Sequence, residues 1–325
     1  NEQVRLRATK SRDVRAATLQ ERYDQTRGGI TVTDPANGNA VTSAASFSGG
    51  NPSVQPEKAD TTTVGFVLQP NLVEGLQVST DCYKISIADA IAQLPGQTIV
   101  NNCYTGDTSL CQYVIRRDNL PNGVIDRVDA LFINLAKQEV EGVDSEVSYR
   151  RPISLLGGGP ESLSVRLFAS WLMHNSTQNR GALLDERAGA IGGVSLPKRK
   201  ATMNLTYTNG PWSGFVQGRF IDGGKLDRTL AESTKAFAAA DYAGTLITGT
   251  IDDNTVGSVF YVDTNVSYKF EALGNLSVYA NVTNLLDHQP ASTPSAIGRT
   301  GPSEYNSALY DVIGRRYVVG LNYKF

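Results

Sequence analysis

The 325 residues carry 30 Lys+Arg against 32 Asp+Glu, a net charge of −2, which gives no electrostatic case for nucleic acid or an anionic surface as partner. Charged residues are 19% and hydrophobics 40%, both low for a soluble domain, while Gly reaches 31 and Tyr 14. No apolar run approaches the ~18 residues of a membrane helix, an exclusion that leaves membrane barrels open, because their alternating strands average to ordinary hydropathy.

Asn1-Glu2 runs at once into QVRLRATK, a strand-like stretch, so the expectation is a chain that begins inside a longer protein with any targeting segment upstream. From there the pattern predicts about ten strands, near 3–9, 60–69, 75–86, 128–150, 161–174, 195–208, 211–221, 258–270, 275–284 and 314–325. In VFYVDTNVSYKF, Phe260, Val262, Val266, Tyr268 and Phe270 share one face, and Tyr261, Asp263, Asn265, Ser267 and Lys269 the other. SLSVRLFASW, LSVYANVTN and ATMNLTY alternate in the same way, with a strongly polar second face. A sandwich also has one wet face, so the connections must choose between the two.

These alternate in length. Short ones fall near 70–75, 151–160, 209–212 and 271–275, and long ones near 11–59, 87–127, 175–193, 222–258 and 285–313. Short turns at one end and long loops at the other suit an outer-membrane barrel, with the short turns on the periplasmic side. Within 75–87 the apolar set shifts from Leu76 and Val78 to Tyr83, Ile85 and Ile87, for which a β-bulge is the expected repair. Ser86–Gly96 and Leu230–Tyr242 are expected as local helices packed in loops. Cys103 and Cys111 bracket the polar YTGDTSL and are expected to form a local disulfide in an oxidising compartment, two free thiols being the alternative. Cys82, inside a strand, is expected to serve as a small apolar residue.

The motifs, in order, resemble the C-terminal half of a TonB-dependent outer-membrane receptor. VRLRATKSRDVRAATLQERY resembles the family's rising strand and the "S…RAP…EL" stretch, although Arg15-Ala16-Ala17 and Gln20-Glu21 lack its proline and leucine. NPSVQPEKADTTTVGF keeps Asn51, Pro52, Pro56, Glu57 and Gly65 of a second motif, and GLQVSTDCYKISIADAI resembles a third, with Cys82 replacing an aromatic. INLAKQEVEGVDSEVSYR matches at Asn134, Gly142, Val143, Asp144 and Glu146, NVTNLLDHQP at Asn284, Leu285, Asp287 and Pro290, and the chain closes on a strand ending in Phe.

The resemblance implies an all-β fold, an antiparallel transmembrane barrel of about 22 strands plugged by an N-terminal domain. Residues 1–325 would be its C-terminal half, with the plug, the TonB-contacting segment and the remaining strands outside this sequence. It further implies a receptor and transporter of the Gram-negative outer membrane, a multi-pass protein and not an enzyme. Uptake of a ferric siderophore, another metal chelate, cobalamin or an oligosaccharide would be driven through the TonB complex. A passive, porin-like barrel is the alternative. Other implied partners are outer-membrane lipid and the barrel-assembly machinery, which would read Tyr323 and Phe325 on the last strand. No resident cofactor or nucleic acid is implied.

The candidate substrate contacts are the polar-face cations Arg166, Arg219 and Lys269 and the loop pair Arg116 and Arg117, all suited to an anionic ligand. The plainer role, and the one expected, is pairing with acids such as Asp144, Glu146 and Asp263 in a wet lumen. RDNLPNGVIDRVD half-matches a calcium loop, but Leu120 stands where a ligand oxygen is needed, and a turn at Asn122-Gly123 is the simpler expectation. His174 and His288 are expected as solvated loop histidines, and Gly157–Pro160 as a periplasmic turn. No nucleophile motif accompanies the Ser, His and Asp residues.

Overall fold

The computed structural model describes residues 3–120, 123–156, 160–179, 182–270, 276–294 and 304–323. Its frame is one antiparallel wall in which each strand pairs with the next in the chain. The strands are β1 (Val4–Arg15), β2 (Glu57–Leu68), β3 (Leu76–Gln93), β4 (Ile125–Ile153) and β5 (Glu161–Asn179). They continue as β6 (Arg199–Asn209), β7 (Trp212–Ile221), β8 (Val259–Phe270), β9 (Leu276–Thr283) and β10 (Arg316–Tyr323). No helix among the described residues is long and apolar enough to cross a membrane.

Register converts the alternation into two faces. Leu6, Phe66, Thr80, Ser145, Ala169, Ala201 and Phe220 form one cross-strand row on the apolar face. On β5 that face carries Leu163, Val165, Leu167, Ala169 and Trp171. At roughly 3.3 Å per residue and a ~40° tilt this stripe stands about 20 Å tall, close to the apolar band of a membrane barrel. Aromatic rings collect at its short-turn edge: Trp212 meets Tyr268 edge-on at 4.7 Å, and Tyr268 meets Phe270 at 4.6 Å. Tyr323 is outward on the last strand and half exposed, whereas Phe325 lies outside the described residues.

The apparent shift of the apolar set within 75–87 is not a bulge. The β3–β4 ladder runs unbroken from Leu76 to Ile87, and the irregularity comes at Ile87–Ile91. Thr80 and Cys82 continue the apolar-face positions of Leu76 and Val78, and above the belt Lys84 follows them. Tyr83, Ile85 and Ile87 are on the opposite face, with the Tyr83 hydroxyl over the bare backbone of Gly142. The belt ends there; the strand does not change register. Cys82 sits in this belt, level with Val64 and Val143.

Two further expectations are corrected. Ser86–Gln93 is strand, held by long-range pairing and by an Ile91 N–H donated to Glu57 at 2.6 Å, and helix α2 begins after it, at Gly96–Thr105. The Pro-Gly expected to end a helix instead starts one, as proline's missing N–H permits. Leu230–Glu232 pairs in parallel with Gly249–Ile251, leaving only a short 3₁₀ turn at Ala239–Tyr242. The long loops are folded bodies. One buries Val32, Leu94, Ile99, Val100, Leu110 and Val128 between α2, β4 and the hairpin Gln25–Asp34/Ala40–Gly49. The other buries Ile191, Leu226, Val256, Tyr261 and Tyr310 above β7 and β8.

Candidate functional site

The polar face is a field of charges in register. One row runs Arg7, Gly65, Asp81, Asp144, Ser170, Lys200. Another runs Glu146, Phe168, Thr202, Arg219, Tyr261, and a third Ser148, Arg166, Asn204, Gln217, Asp263. Asp81 and Asp144 are directly opposite, a destabilising like-charge pair. Arg7 relieves it by reaching over Gly65 to hold Asp81 with two bonds, the Nε one at 2.7 Å. A recess of about 540 Å3 opens beside them, lined by Arg7, Asp81, Asp144, Glu146, Phe168 and Lys200. In these rows and those just below, Arg5, Arg7, Arg150, Arg166, Lys200, Arg219 and Lys269 outnumber Asp81, Asp144, Glu146 and Asp263.

The five sequence-derived candidates do not converge on one point. Arg166 bonds Glu146 at 2.6 Å and lies over the Phe168 ring at 4.4 Å. Arg219 pairs with Asp263 at 3.4 Å and lies over Tyr261 at 5.2 Å. Lys269, near the short-turn end, has no ion pair among the described residues. Arg117 reaches Asp126 at 3.6 Å and stays exposed. Arg116 is committed elsewhere: its Nη atoms donate to both oxygens of Asp34 at 2.6 and 2.9 Å, with the Asp34 side chain 1% exposed. The Arg116 guanidinium holds the Asp34 carboxyl below its ordinary range, against the opposing effect of burial. Sequence reading passed over Arg7 and Lys200; their signal was present, since alternation in VRLRATK and KRKATMN puts both on the polar face.

A family model described as TonB dependent receptor-like, beta-barrel, matches residues 1–285. The chain belongs to this family. No curated protein matches it. Among solved structures it is similar to the ferric enterobactin receptor PfeA of Pseudomonas aeruginosa, at 16% identity and a TM-score of 0.60, over 99% of this chain and 38% of that one. The siderophore receptor PirA of Acinetobacter baumannii gives 16% identity and 0.59, over 100% and 39%. The outer membrane transporter YddB of Escherichia coli gives 14% and 0.55, over 84% and 33%. At these identities the likeness is one of fold, and the chain spans about two fifths of the length of PfeA or PirA.

In this TonB-dependent receptor wall the motif residues meet at a hub above the belt. Arg15 bonds Glu57 at 2.6 Å and Glu21 twice at 3.0 Å, while Glu21 closes a capping box with Thr18 on α1 (Leu19–Tyr23). Asn51 donates to the Phe132 carbonyl, and Asn134 exchanges bonds with the Gln55 backbone and donates to Asp89 O. At the other end of the receptor chain, buried Asn284 clasps the His288 backbone in both directions. These bonds order the roots of the long loops.

The remaining candidates resolve individually. Cys103 and Cys111 are bonded, with Cα atoms 4.9 Å apart. His174 contacts Glu186 at 3.0 Å, and His288 packs edge-on to Tyr261 at 6.1 Å, so each has its own partner. In the half-matched calcium loop, Asp126 faces Arg117 and Asp129 faces Arg127 at 2.8 Å, while Gly123 closes a turn onto Leu120 O. Asn122 and Gly157–Gly159 lie outside the described residues. Tyr310, buried among apolar neighbours in the second lobe, has its phenol pushed up to about 12 by desolvation.

Proposed function

We propose that this chain forms the C-terminal wall, strands and loops of an outer-membrane receptor that imports a scarce nutrient by TonB-dependent transport, an anionic ferric siderophore being the substrate class. The observation that carries the reading is the polar face, where cations backed by aromatic rings outnumber carboxylates beneath two folded loop lobes. A ferric chelate with surplus negative charge gains from such a surface, and electrostatic focusing raises its local concentration. PfeA, named as a ferric enterobactin receptor, and PirA, named as a siderophore receptor, share the wall's fold. In this reading the plug and TonB-contacting segment belong to other parts of the protein, the localisation is the Gram-negative outer membrane, and the chain does no covalent chemistry.

The test is nutrient-limited growth of a deletion strain on ferric siderophores, other metal chelates, cobalamin and oligosaccharides. The expected result is loss of growth on one ferric siderophore, restored by the gene and lost again without TonB. Uptake that persists without TonB would instead establish a passive, porin-like barrel.

A further inference from the structure

The hairpin of the first loop lobe leaves one strand edge open. Among the described residues Gln25–Asp34 pairs only with Ala40–Gly49, and through it with β4, where Ala45–Gly49 runs parallel to Arg127–Leu131. Near the hairpin tip the Gln97 side chain stands in for a neighbouring strand. Its carboxamide accepts from Thr33 N–H at 2.7 Å and donates to Thr33 O at 2.8 Å. Outward backbone groups recur at every second residue of an antiparallel ladder. Those of Arg27, Gly29 and Thr31 therefore point the same way, and no hydrogen bond reaches them among the described residues. The approach is bare. A Cβ at Gly28 would meet nothing within 4 Å and one at Gly29 only Ala44 O at 3.9 Å, and a recess of about 320 Å3 lies beside Ile30, Thr31, Ser43 and Ala44. Proteins blunt such edges with proline, charge or a bulge, or else cover them. From Arg27 to Thr33 the strand has no proline, no bulge and one charge, at Arg27, so covering is what remains.

The fold gives the direction from which a cover comes. Ala45–Gly49 ends at Leu131, next to Phe132, where the pairing of β3 begins at Gln93. Asn51 Nδ2 donates to Phe132 O and Gln93 Nε2 to Ala130 O, carbonyls two residues apart and so on one side of β4. The hairpin thus rises over β3 and then β2, and its open edge faces the β1 side. β1 is an end of the wall, with an open edge of its own facing the same way below. It runs towards the long loops, so an antiparallel strand on that edge descends from a long loop beside Arg15.

We propose that this loop, a segment of the receptor preceding Asn1, adds an extended strand along Arg27–Thr31 and so joins the first loop lobe to the loops of the barrel's other part. The inference rests on the placement of this chain in a longer receptor, given under Proposed function, and not on which nutrient is imported.

Hydrogen exchange on the full receptor, as the cell makes it, tests this. The Arg27, Gly29 and Thr31 amides are expected to exchange at least about tenfold more slowly than unpaired amides. Gly29→Pro removes one outward N–H and spares the inner ladder, as proline on an edge strand permits. In that variant one stretch upstream of Asn1 is expected to exchange about tenfold faster, while the Gly28 and Ile30 amides stay protected. Unpaired-rate exchange at all three amides of the parent overturns the proposal, whether or not the variant keeps its hairpin. So does protection that rises with receptor concentration, which marks a second copy on the edge. An intact hairpin in Gly29→Pro with no upstream stretch altered overturns it as well. A purified receptor whose intact mass is 35.0 kDa, that of these residues alone, would instead sink the placement in a longer chain.

Discussion

At the residue scale the most consequential contact is Arg116 with Asp34. Both side chains are buried, at 13% and 1% exposure, and their two parallel bonds are joined by Ala36 N–H and Asn37 Nδ2 donating to the same carboxylate. Asp34→Ala leaves the guanidinium buried and unpaired, which costs about 3–5 kcal/mol. The expected outcome is loss of amide-exchange protection across 25–49 and 96–105 with the wall unchanged. The pH dependence has a definite sign. Asp34 titrates below its ordinary 3.8 in the folded lobe, so its stabilisation is fully present above 3.8 and is lost as pH falls through the depressed folded value. Protection that fell between pH 7 and 5 would contradict this assignment. Gly65 supplies a second case. A Cβ there would overlap the Asp81 carboxylate and crowd Thr80 O. Gly65→Ala is therefore expected to break the Arg7–Asp81 pair and cost about 1–3 kcal/mol by overpacking, read as a lower unfolding midpoint of the receptor.

At the element scale the first loop lobe holds α2 by two means, Ile99 and Val100 in its core and the Cys103–Cys111 bond at its end. A disulfide closing so short a loop contributes about 2–3 kcal/mol in the chain-entropy account. The paired C103S/C111S variant is expected to open 94–124 to proteolysis many-fold faster while β3–β5 stay protected; equal cleavage rates would show that packing alone fixes the segment. The wall was legible because one face meets hydrocarbon and the other water, which enforces period two over each belt segment. Above the belt both faces are wet and the signal fades. For that reason β1 was expected to stop near 9 and runs to Arg15, and β5 was expected to stop near 174 and runs to Asn179. The hairpin Gln25–Asp34/Ala40–Gly49 went unread inside an expected loop, although Gly38 and Asn39, both at positive φ, mark its turn. Among the candidate site residues the acids facing Arg166 and Arg219 were legible from strand parity. The partner of Arg116 was not, because Asp34 lies 82 residues away and reaches it only through a folded lobe.

At the scale of the whole molecule, the wall is a path with two ends, β1 and β10. β10 pairs with β9 from Arg316 to Tyr323, and its apolar face presents Tyr317, Val319, Leu321 and Tyr323, all more than half exposed. An exposed apolar strand of this kind invites edge-to-edge association until it is paired and embedded. Its handling during insertion is therefore a separate requirement from substrate binding. Tyr323 extends the aromatic edge made by Trp212, Tyr268 and Phe270, where amphipathic rings anchor a barrel at the headgroup level. Tyr323 and the terminal residue Phe325 are then expected to act in assembly, and the polar-face cations in uptake. Deleting Phe325 should lower the amount of heat-modifiable, membrane-inserted receptor several-fold. The fraction that does insert should keep its affinity for substrate. The opposite pattern is expected for Arg166→Ala, with normal insertion and weakened uptake of an anionic chelate. Normal assembly of the Phe325 deletion, or an assembly defect in Arg166→Ala equal to it, would remove this division of labour between the closing strand and the polar face.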